Sequence, residues 1–363
     1  MAGRQRKYTP RVRTQRPLGA SMTTNTPPAQ PIPEPTKVND GWYVPAPLSQ
    51  RLYEKSALGL MTADGGVVLT PEEVMFCHWY RHVPLPGEAS SWFRNEVSQR
   101  SDVGMRCIAM DVLRNGGELV VPTANLWSRF PSLSQRTWAL RWQRHESWTK
   151  HPGYSQIRLH HAQETFDWNE LLDWVNQVTK HGHVAELCVV DDEFDATVYE
   201  LRLEQPEGDQ VTVESLDEAV LAQVRVWCES GVSIAGGSFI PDVVDWPLPA
   251  VGVPHFSGRF LRHEEHEHLL AVSTSPFADL YGDLVSRGLV LRPGFKYGCR
   301  WRAYETDIGE EHAPWLVQPH AEAPTNWEEV CLSVRLAEGV NKRWLCALST
   351  PDGYSFLNVK RRV

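Results

Sequence analysis

Between residues 296 and 342 the chain reads Lys296-Tyr-Gly-Cys-Arg-Trp-Arg-Ala-Tyr304, then Asp307-Ile-Gly-Glu-Glu311 followed by His312, and finally Val334-Arg335-Leu-Ala-Glu-Gly-Val-Asn-Lys342. A phenol, an imidazole and an ammonium in one short segment are the groups that metal-free RNA cleavage uses. One group deprotonates a ribose 2′-hydroxyl, one protonates the leaving oxygen, and a cation faces the phosphorane. Taken singly each has a plainer reading: Tyr304 ends a strand, His312 lies in a polar loop, and Lys342 closes a helix whose macrodipole favours a cation there.

The flanking sequence supplies a scaffold for the three groups. Phe277, Leu280 and Leu284 lie at helical spacing and stop at Arg287-Gly288; Leu289-Val-Leu291 then reads as a strand and Arg292-Pro-Gly294 as a turn. Strands are predicted around Arg300–Tyr304 and Trp315–Val317, a helix capped by Asn326 through Val330, Val334 and Leu336, and a final hairpin turning at Pro351-Asp-Gly353.

The same order of elements recurs when residues 110–203 are set beneath 282–362. Trp142 answers Trp301, His161-Ala162 answers His320-Ala321, and Trp168 answers Trp327, each at an offset of 159. The chemical set does not recur: His145 faces Tyr304, Gly153 or a neighbour faces His312, and His183 or Val184 faces Lys342. The earlier copy instead carries an acidic hairpin, Asp191-Asp192-Glu193-Phe194-Asp195, between the predicted strands Leu187–Val190 and Thr197–Leu201.

With 363 residues and a prior of about 150 per domain, two units are expected. The 36 basic and 45 acidic residues give a net charge of −9, which argues against a nonspecific nucleic-acid coat and confines any RNA site to a local basic patch. Seven cysteines stand without a C-x-x-C pair and read as core thiols in a reducing compartment. No apolar run reaches the roughly 18 residues that span a bilayer, and no hydrophobic stretch follows the basic N-terminus, so the expectation is a soluble, cytoplasmic protein without a membrane partner.

Residues 1–40 combine arginines with a Pro-rich run and are expected to be a disordered tail. Order is expected from Gly41, with a loose alternation over Leu52–Leu60. A helix follows, started by Thr70 as N-cap, Pro71 at its first position and Glu73 closing a capping box. Trp92–Leu113 reads as helix broken near Asp102–Gly104, residues 123–137 as a loop insertion, and Trp168–Val178 as an amphipathic helix. Residues 204–216 read as a linker and Asp217–Glu229 as a helix, while the Gly- and Pro-rich 231–258 gives no ordered elements. His263-Glu-Glu-His-Glu-His268 lacks H-E-x-x-H spacing and reads as a solvated turn, so no metal site and no cofactor are expected.

These motifs resemble the archaeal tRNA-splicing endonucleases. The resemblance rests on Leu284-x-x-Arg287-Gly288-x-Val290, Gly294-x-Lys296-Tyr297-Gly298, Tyr304, Gly309-Glu-Glu-His312-Ala313, Trp315-Leu-Val317 and Val334-Arg335-Leu-Ala-x-x-Val340-x-Lys342. It covers the last ~90 residues well, and Leu52–Gly59 with Leu69–Glu73 resemble the family's N-terminal subdomain.

The resemblance implies cleavage of precursor tRNA at a bulge-helix-bulge without metal, leaving a 2′,3′-cyclic phosphate and a 5′-hydroxyl. Tyr304 would be the general base, His312 the general acid and Lys342 the transition-state cation, also serving to ease ionisation of the phenol. Arg335 would sandwich a bulge base with a second basic residue among Lys360, Arg361 and Arg362. The loop Asp191, Asp192, Glu193 and Asp195 would dock on another copy. The order of copies, spoiled first and active second, is similar to the homodimeric class with two fused units per chain, the dimer forming through C-terminal strands and the acidic hairpin.

The implied fold is α+β, a tandem repeat of two units. Each unit has a small α/β N-terminal subdomain and an α/β nuclease-like subdomain with a central mixed sheet. The divisions are a tail over 1–40, an N-terminal subdomain over 41–90, a noncatalytic subdomain with the acidic hairpin over 91–205, a linker and degenerate N-terminal subdomain over 206–275, and a catalytic subdomain over 276–363. The alternative reading is a noncatalytic tRNA-binding subunit of a splicing assembly.

Overall fold

A computed structural model describes residues 32–39, 41–243, 245–309 and 311–362. Its mixed helices and sheets fall into two units, one of Met1–Glu164, Asp173–Glu200 and Arg362, the other of Thr165–Leu172, Leu201–Arg361 and Val363. Most of the expected tail lies outside the described residues. Part of it is ordered, however: Thr36–Val38 forms strand β1 against β2 (Gly41–Val44), so structure begins before Gly41.

In the first unit, β1 and β2 are followed by α1 (Leu48–Ser56), β3 (Leu60–Met61), β4 (Val67–Leu69) and α2 (Pro71–Arg81), the strands pairing in the order β1-β2-β4-β3. The alternation read over Leu52–Leu60 is helix through Ser56. Leu52 and Ser56, four residues apart, face inward together, and Gly59 in the left-handed region (φ +74) turns the chain into β3. Only glycine fits there, because a Cβ would lie 2.4 Å from Val67 Cγ2.

The carboxylate of Glu73 accepts the amide of Thr70 at 2.9 Å and of Gly59 at 2.8 Å, and Asn125 Nδ2 donates to it at 2.9 Å. Burial nevertheless pushes its acid form up to about 7. The folded chain therefore holds a proton that the unfolded chain releases between about pH 4.5 and 7, and stability from this group falls as pH rises through that window, by about 3 kcal/mol. Urea unfolding at pH 5 and 7.5 should show that loss, and Glu73→Gln should flatten it.

Helices α3 (Ala89–Gln99) and α4 (Val103–Asn115) come next, with the break falling at Asp102. Then follow β5 (Leu119–Pro122), β6 (Ala139–Trp142), β7 (Ser155–His161), α5 (Trp168–Lys180), β8 (Val184–Val190) and β9 (Ala196–Glu204), with strand order β5-β6-β7-β8-β9 and β7 parallel to β8. Cys107, Met110 and Leu113 of α4 share one core with Val120, Ile157 and Val190 of this sheet. The segment 123–137 is not a bare loop, since Leu126 and Leu133 pack with Leu140, Trp142 and Trp148 into a core of their own.

The second unit opens with α6 (Glu218–Glu229). Residues 231–258, unassigned from sequence, lie in a sheet formed by β10 (Val232–Ile234), β11 (Gly237–Pro241), β12 (Val253–His255) and β13 (Gly258–Arg262), paired in the order β10-β11-β13-β12. The His/Glu run expected as a turn is helix α7 (His263–Leu270). Its side chains serve the fold: Glu265 accepts the amides of Arg262 (2.8 Å) and Gly252 (3.1 Å), Glu267 accepts from Ser275, and a His266 ring nitrogen meets the Cys228 carbonyl at 3.1 Å. Glu265 thus repeats the backbone bonds of Glu73 but titrates the other way. Burial disfavours its charge, yet the Arg262 guanidinium at 2.8 Å and Arg292 at 3.6 Å outweigh burial and hold it below the usual carboxylate range.

Helix α8 (Ala278–Ser286) leads to β14 (Val290–Pro293), β15 (Trp301–Tyr304), β16 (Trp315–Pro319), α9 (Trp327–Glu338), β17 (Arg343–Thr350) and β18 (Gly353–Arg361), paired in that strand order with β16 parallel to β17. Asn326 Oδ1 caps α9 by accepting the Glu329 amide at 2.9 Å. Leu284, Val290, Trp301, Val317, Leu345 and Phe356 form the core between α8 and the sheet. Among the described residues, no helix is long and apolar enough to cross a membrane.

Candidate active site

Tyr304 is the last residue of β15, buried to 9% exposure and paired with Val290 of β14. Strand alternation puts Arg302, two residues earlier, on the same face. The segment from Glu305 to Pro314 joins β15 to β16 and is tied at its base where Trp315 Nε1 donates to Glu305 at 2.9 Å. His312 stands exposed in this segment, one residue before Ala313.

Past α9, Asn341 takes a left-handed conformation (φ 55) and turns Lys342 back, so that its ammonium donates to the Ala313 carbonyl at 2.6 Å. That bond fixes the end of α9 to the residue beside His312. The same ammonium lies 5.8 Å from the Tyr297 ring centre. The Arg302 guanidinium carbon lies 5.7 Å from the Tyr297 ring and 5.8 Å from the Tyr304 ring. Arg302 thus lies near both the Tyr297 and Tyr304 rings, and Lys342 near the Tyr297 ring and on the Ala313 carbonyl. Burial first, and the charge of Arg302 second, hold the Lys342 amine below its usual range.

This geometry revises the sequence reading at two points. Beside Lys342, which is bonded to the Ala313 carbonyl, the structure places a further cation, Arg302, 5.8 Å from the Tyr304 ring centre. Arg302 and Tyr297 were not picked out as site residues, although both lie in the stretch from Lys296 to Tyr304 and the strand period alone puts Arg302 on the face of Tyr304.

The match of Tyr304 to His145 also fails on register. Val290 pairs with Tyr304 in the second unit, and its counterpart after the helix-ending glycine, Leu119, pairs with Trp142 in the first. Trp142 therefore stands at the place of Tyr304, and Leu140 at that of Arg302. The shared Arg-Trp dipeptide that set the offset is displaced because the loops joining the two strand pairs differ in length. Near Lys342 the reading agrees with the ladder, where Val184 pairs with Ser155 as Arg343 pairs with Trp315, leaving His183 opposite Lys342.

Of the basic residues expected at RNA, Arg335 on α9 and Lys360 on β18 are exposed. Arg361 is exposed too, and its amide donates to Glu338 at 2.9 Å in the last turn of α9, the turn that also holds Arg335. Arg362 belongs with the first unit, and its guanidinium is engaged by Glu118 at 3.0 Å and Glu186 at 3.5 Å, so it does not stand free for RNA. In the acidic hairpin, all of Asp191, Asp192, Glu193 and Asp195 are exposed. Asp191 shapes the turn by accepting the amides of Glu193 (3.0 Å) and Asp195 (2.9 Å), while Asp192 is held by His161 at 3.1 Å and Gln163 at 2.6 Å.

Residues 278–355 match the family model of the tRNA intron endonuclease catalytic C-terminal domain. The matched residues lie within the second unit. More particularly, the chain is similar to the tRNA-splicing endonuclease of Methanosarcina acetivorans, 28% identical over 204 residues covering 48% of this chain and 57% of that one. It is also similar to that of Thermoplasma volcanium, 27% identical with 47% and 53% covered, and to that of Methanopyrus kandleri, 40% identical over 72 residues with 19% and 39% covered. The chain thus spans about half or less of the length of these curated relatives.

Proposed function

We propose that this chain is a tRNA-splicing endonuclease that cuts precursor tRNA at bulge-helix-bulge junctions without a metal. The observation that carries the reading is the bond from Lys342 Nζ to the Ala313 carbonyl, which sets a cation beside the His312 loop. Tyr304 takes the proton of the 2′-hydroxyl as that oxygen attacks phosphorus; the bond from phosphorus to the 5′-oxygen breaks, and His312 gives that oxygen a proton. Lys342 faces the charge that grows on the nonbridging oxygens. The products are a 2′,3′-cyclic phosphate and a 5′-hydroxyl. Incubating the chain with a bulge-helix-bulge RNA in EDTA should give two cuts, and an uncut substrate would contradict the reading.

The chain is, in this reading, a tandem duplication whose first copy has lost the chemistry. Matching strand orders, β1-β2-β4-β3 with β10-β11-β13-β12, and the parallel Glu73 and Glu265 networks support it. Two such chains pair, with the acidic hairpin as a dock and Arg335 with Arg361 at a bulge base. Because Asp191 builds the turn, charge reversal belongs at its neighbours: Asp192→Lys with Glu193→Lys should weaken self-association roughly tenfold or more while leaving the fold intact. Sedimentation velocity against concentration checks this, and an unchanged profile counts against the dock.

A further inference from the structure

We propose that Arg302 is a second phosphate-binding cation of this site, acting with Lys342, the two lying 5.7 Å and 5.8 Å from the centre of the Tyr297 ring. Its Nε donates to the Pro293 carbonyl at 3.1 Å, which fixes the plane of the guanidinium and leaves its two terminal nitrogens for a further partner. Among the described residues no carboxylate lies within 4.0 Å of it, unlike Arg292 on the neighbouring strand, whose charge faces Glu265 at 3.6 Å. Lys342 likewise meets a carbonyl and a ring face but no carboxylate among those residues.

Two like charges thus stand close enough that one depresses the ionisation of the other. An arrangement of this kind is relieved by an anion placed between them, and a guanidinium fork suits two phosphate oxygens. The groups that face the pair are the Tyr297 and Tyr304 rings, the Ala313 and Pro293 carbonyls, and Arg292, the ladder partner of Arg302 on β14. The unit without the tyrosine also lacks the arginine: by ladder register Leu140, fully buried, holds the place of Arg302 as Trp142 holds that of Tyr304. Arg302 therefore segregates with the chemistry and not with the scaffold.

This inference rests on the proposed cleavage reading for its substrate, and its test separates the two. Arg302→Gln should lower single-turnover cleavage of a bulge-helix-bulge RNA by about 10²-fold, and Arg302→Lys should recover most of that loss. Independently of cleavage, the lysines of the full chain are labelled by 13C-methylation and the Lys342 signal is assigned with Lys342→Arg. Inorganic phosphate should shift that signal in the wild type and much less in Arg302→Gln. The lysine should also titrate at higher pH in Arg302→Gln, which reports the nearness of the two charges, whereas the lost phosphate response is the change that a merely structural role would not produce. A wild type that cuts no RNA but shows the phosphate response defeats the cleavage reading alone. Equal phosphate responses and titrations in wild type and Arg302→Gln, with Arg302→Lys also unchanged, overturn the role of Arg302.

Discussion

His312→Ala should cut the rate of a single-turnover cleavage by about 10³-fold while RNA binding changes little, because general acid catalysis contributes about 10²–10⁴-fold and acts only as the leaving oxygen departs. His312 is exposed in a loop and contributes little to the core, so its removal should leave the thermal transition in place. Tyr304→Phe should cost a similar factor, with the ring still filling its place between Val290 and Arg302. Lys342→Ala differs from both, since it also cuts the bond to the Ala313 carbonyl and frees the His312 loop. Its effect therefore contains a positioning part. The double variant His312→Ala with Lys342→Ala should fall well short of the product of the single losses, as expected for groups that act together. Rates measured at enzyme excess, with filter binding beside them, separate these outcomes.

Arg141→Met should destabilise the first unit by about 3–5 kcal/mol, a drop of roughly 10 °C in its thermal midpoint. Arg141 is fully buried and bonds Glu186, also fully buried, together with Glu118 at 2.6 Å and Ser155 at 3.2 Å. Removing the guanidinium leaves the buried Glu186 carboxylate with only the Ser155 hydroxyl at 2.7 Å and Arg362 at 3.5 Å. Burial already pushes Glu186 up to about 6, against the pull of Arg141. A carboxyl raised in the folded state keeps a proton that the unfolded chain has lost, so its contribution to stability falls as pH rises from about 4.5 to 6. Without Arg141 that window moves upward, and the variant should lose more at pH 7 than at pH 5. Adding Glu186→Leu removes the buried charge and should recover most of the stability, which urea unfolding at both pH values would show.

The legible parts of the sequence were those where local chemistry and the final fold agree. Pro71 and Glu73 announced α2, Asn326 announced α9, and the apolar runs around Leu187 and Leu345 announced the sheet strands. Residues 231–258 were opaque because strands of three to five residues carry no alternation long enough to read, even where β10 with β11 and β12 with β13 pair as short hairpins. The His/Glu run at 263–268 looked solvated because hydropathy cannot register that Glu265 is neutralised by Arg262 and Arg292. At the candidate site, spacing singled out Tyr304, His312 and Lys342, but not the second cation, Arg302. An arginine on a strand is usually read as solvent-facing, and only the distances to Tyr297 and Tyr304 give Arg302 another meaning. Register errors had the same origin, since a dipeptide match fixes an offset without knowing how many residues the intervening loop absorbs.

The central claim is that His312 protonates the leaving 5′-oxygen of an RNA strand. A bulge-helix-bulge substrate with sulfur in place of that oxygen tests it directly, because a thiolate departs without a proton. In EDTA, His312→Ala should cleave the sulfur substrate at close to the wild-type rate and yield a 2′,3′-cyclic phosphate, while Tyr304→Phe stays slow on both substrates. Equal impairment of His312→Ala on the oxygen and sulfur substrates would contradict the account.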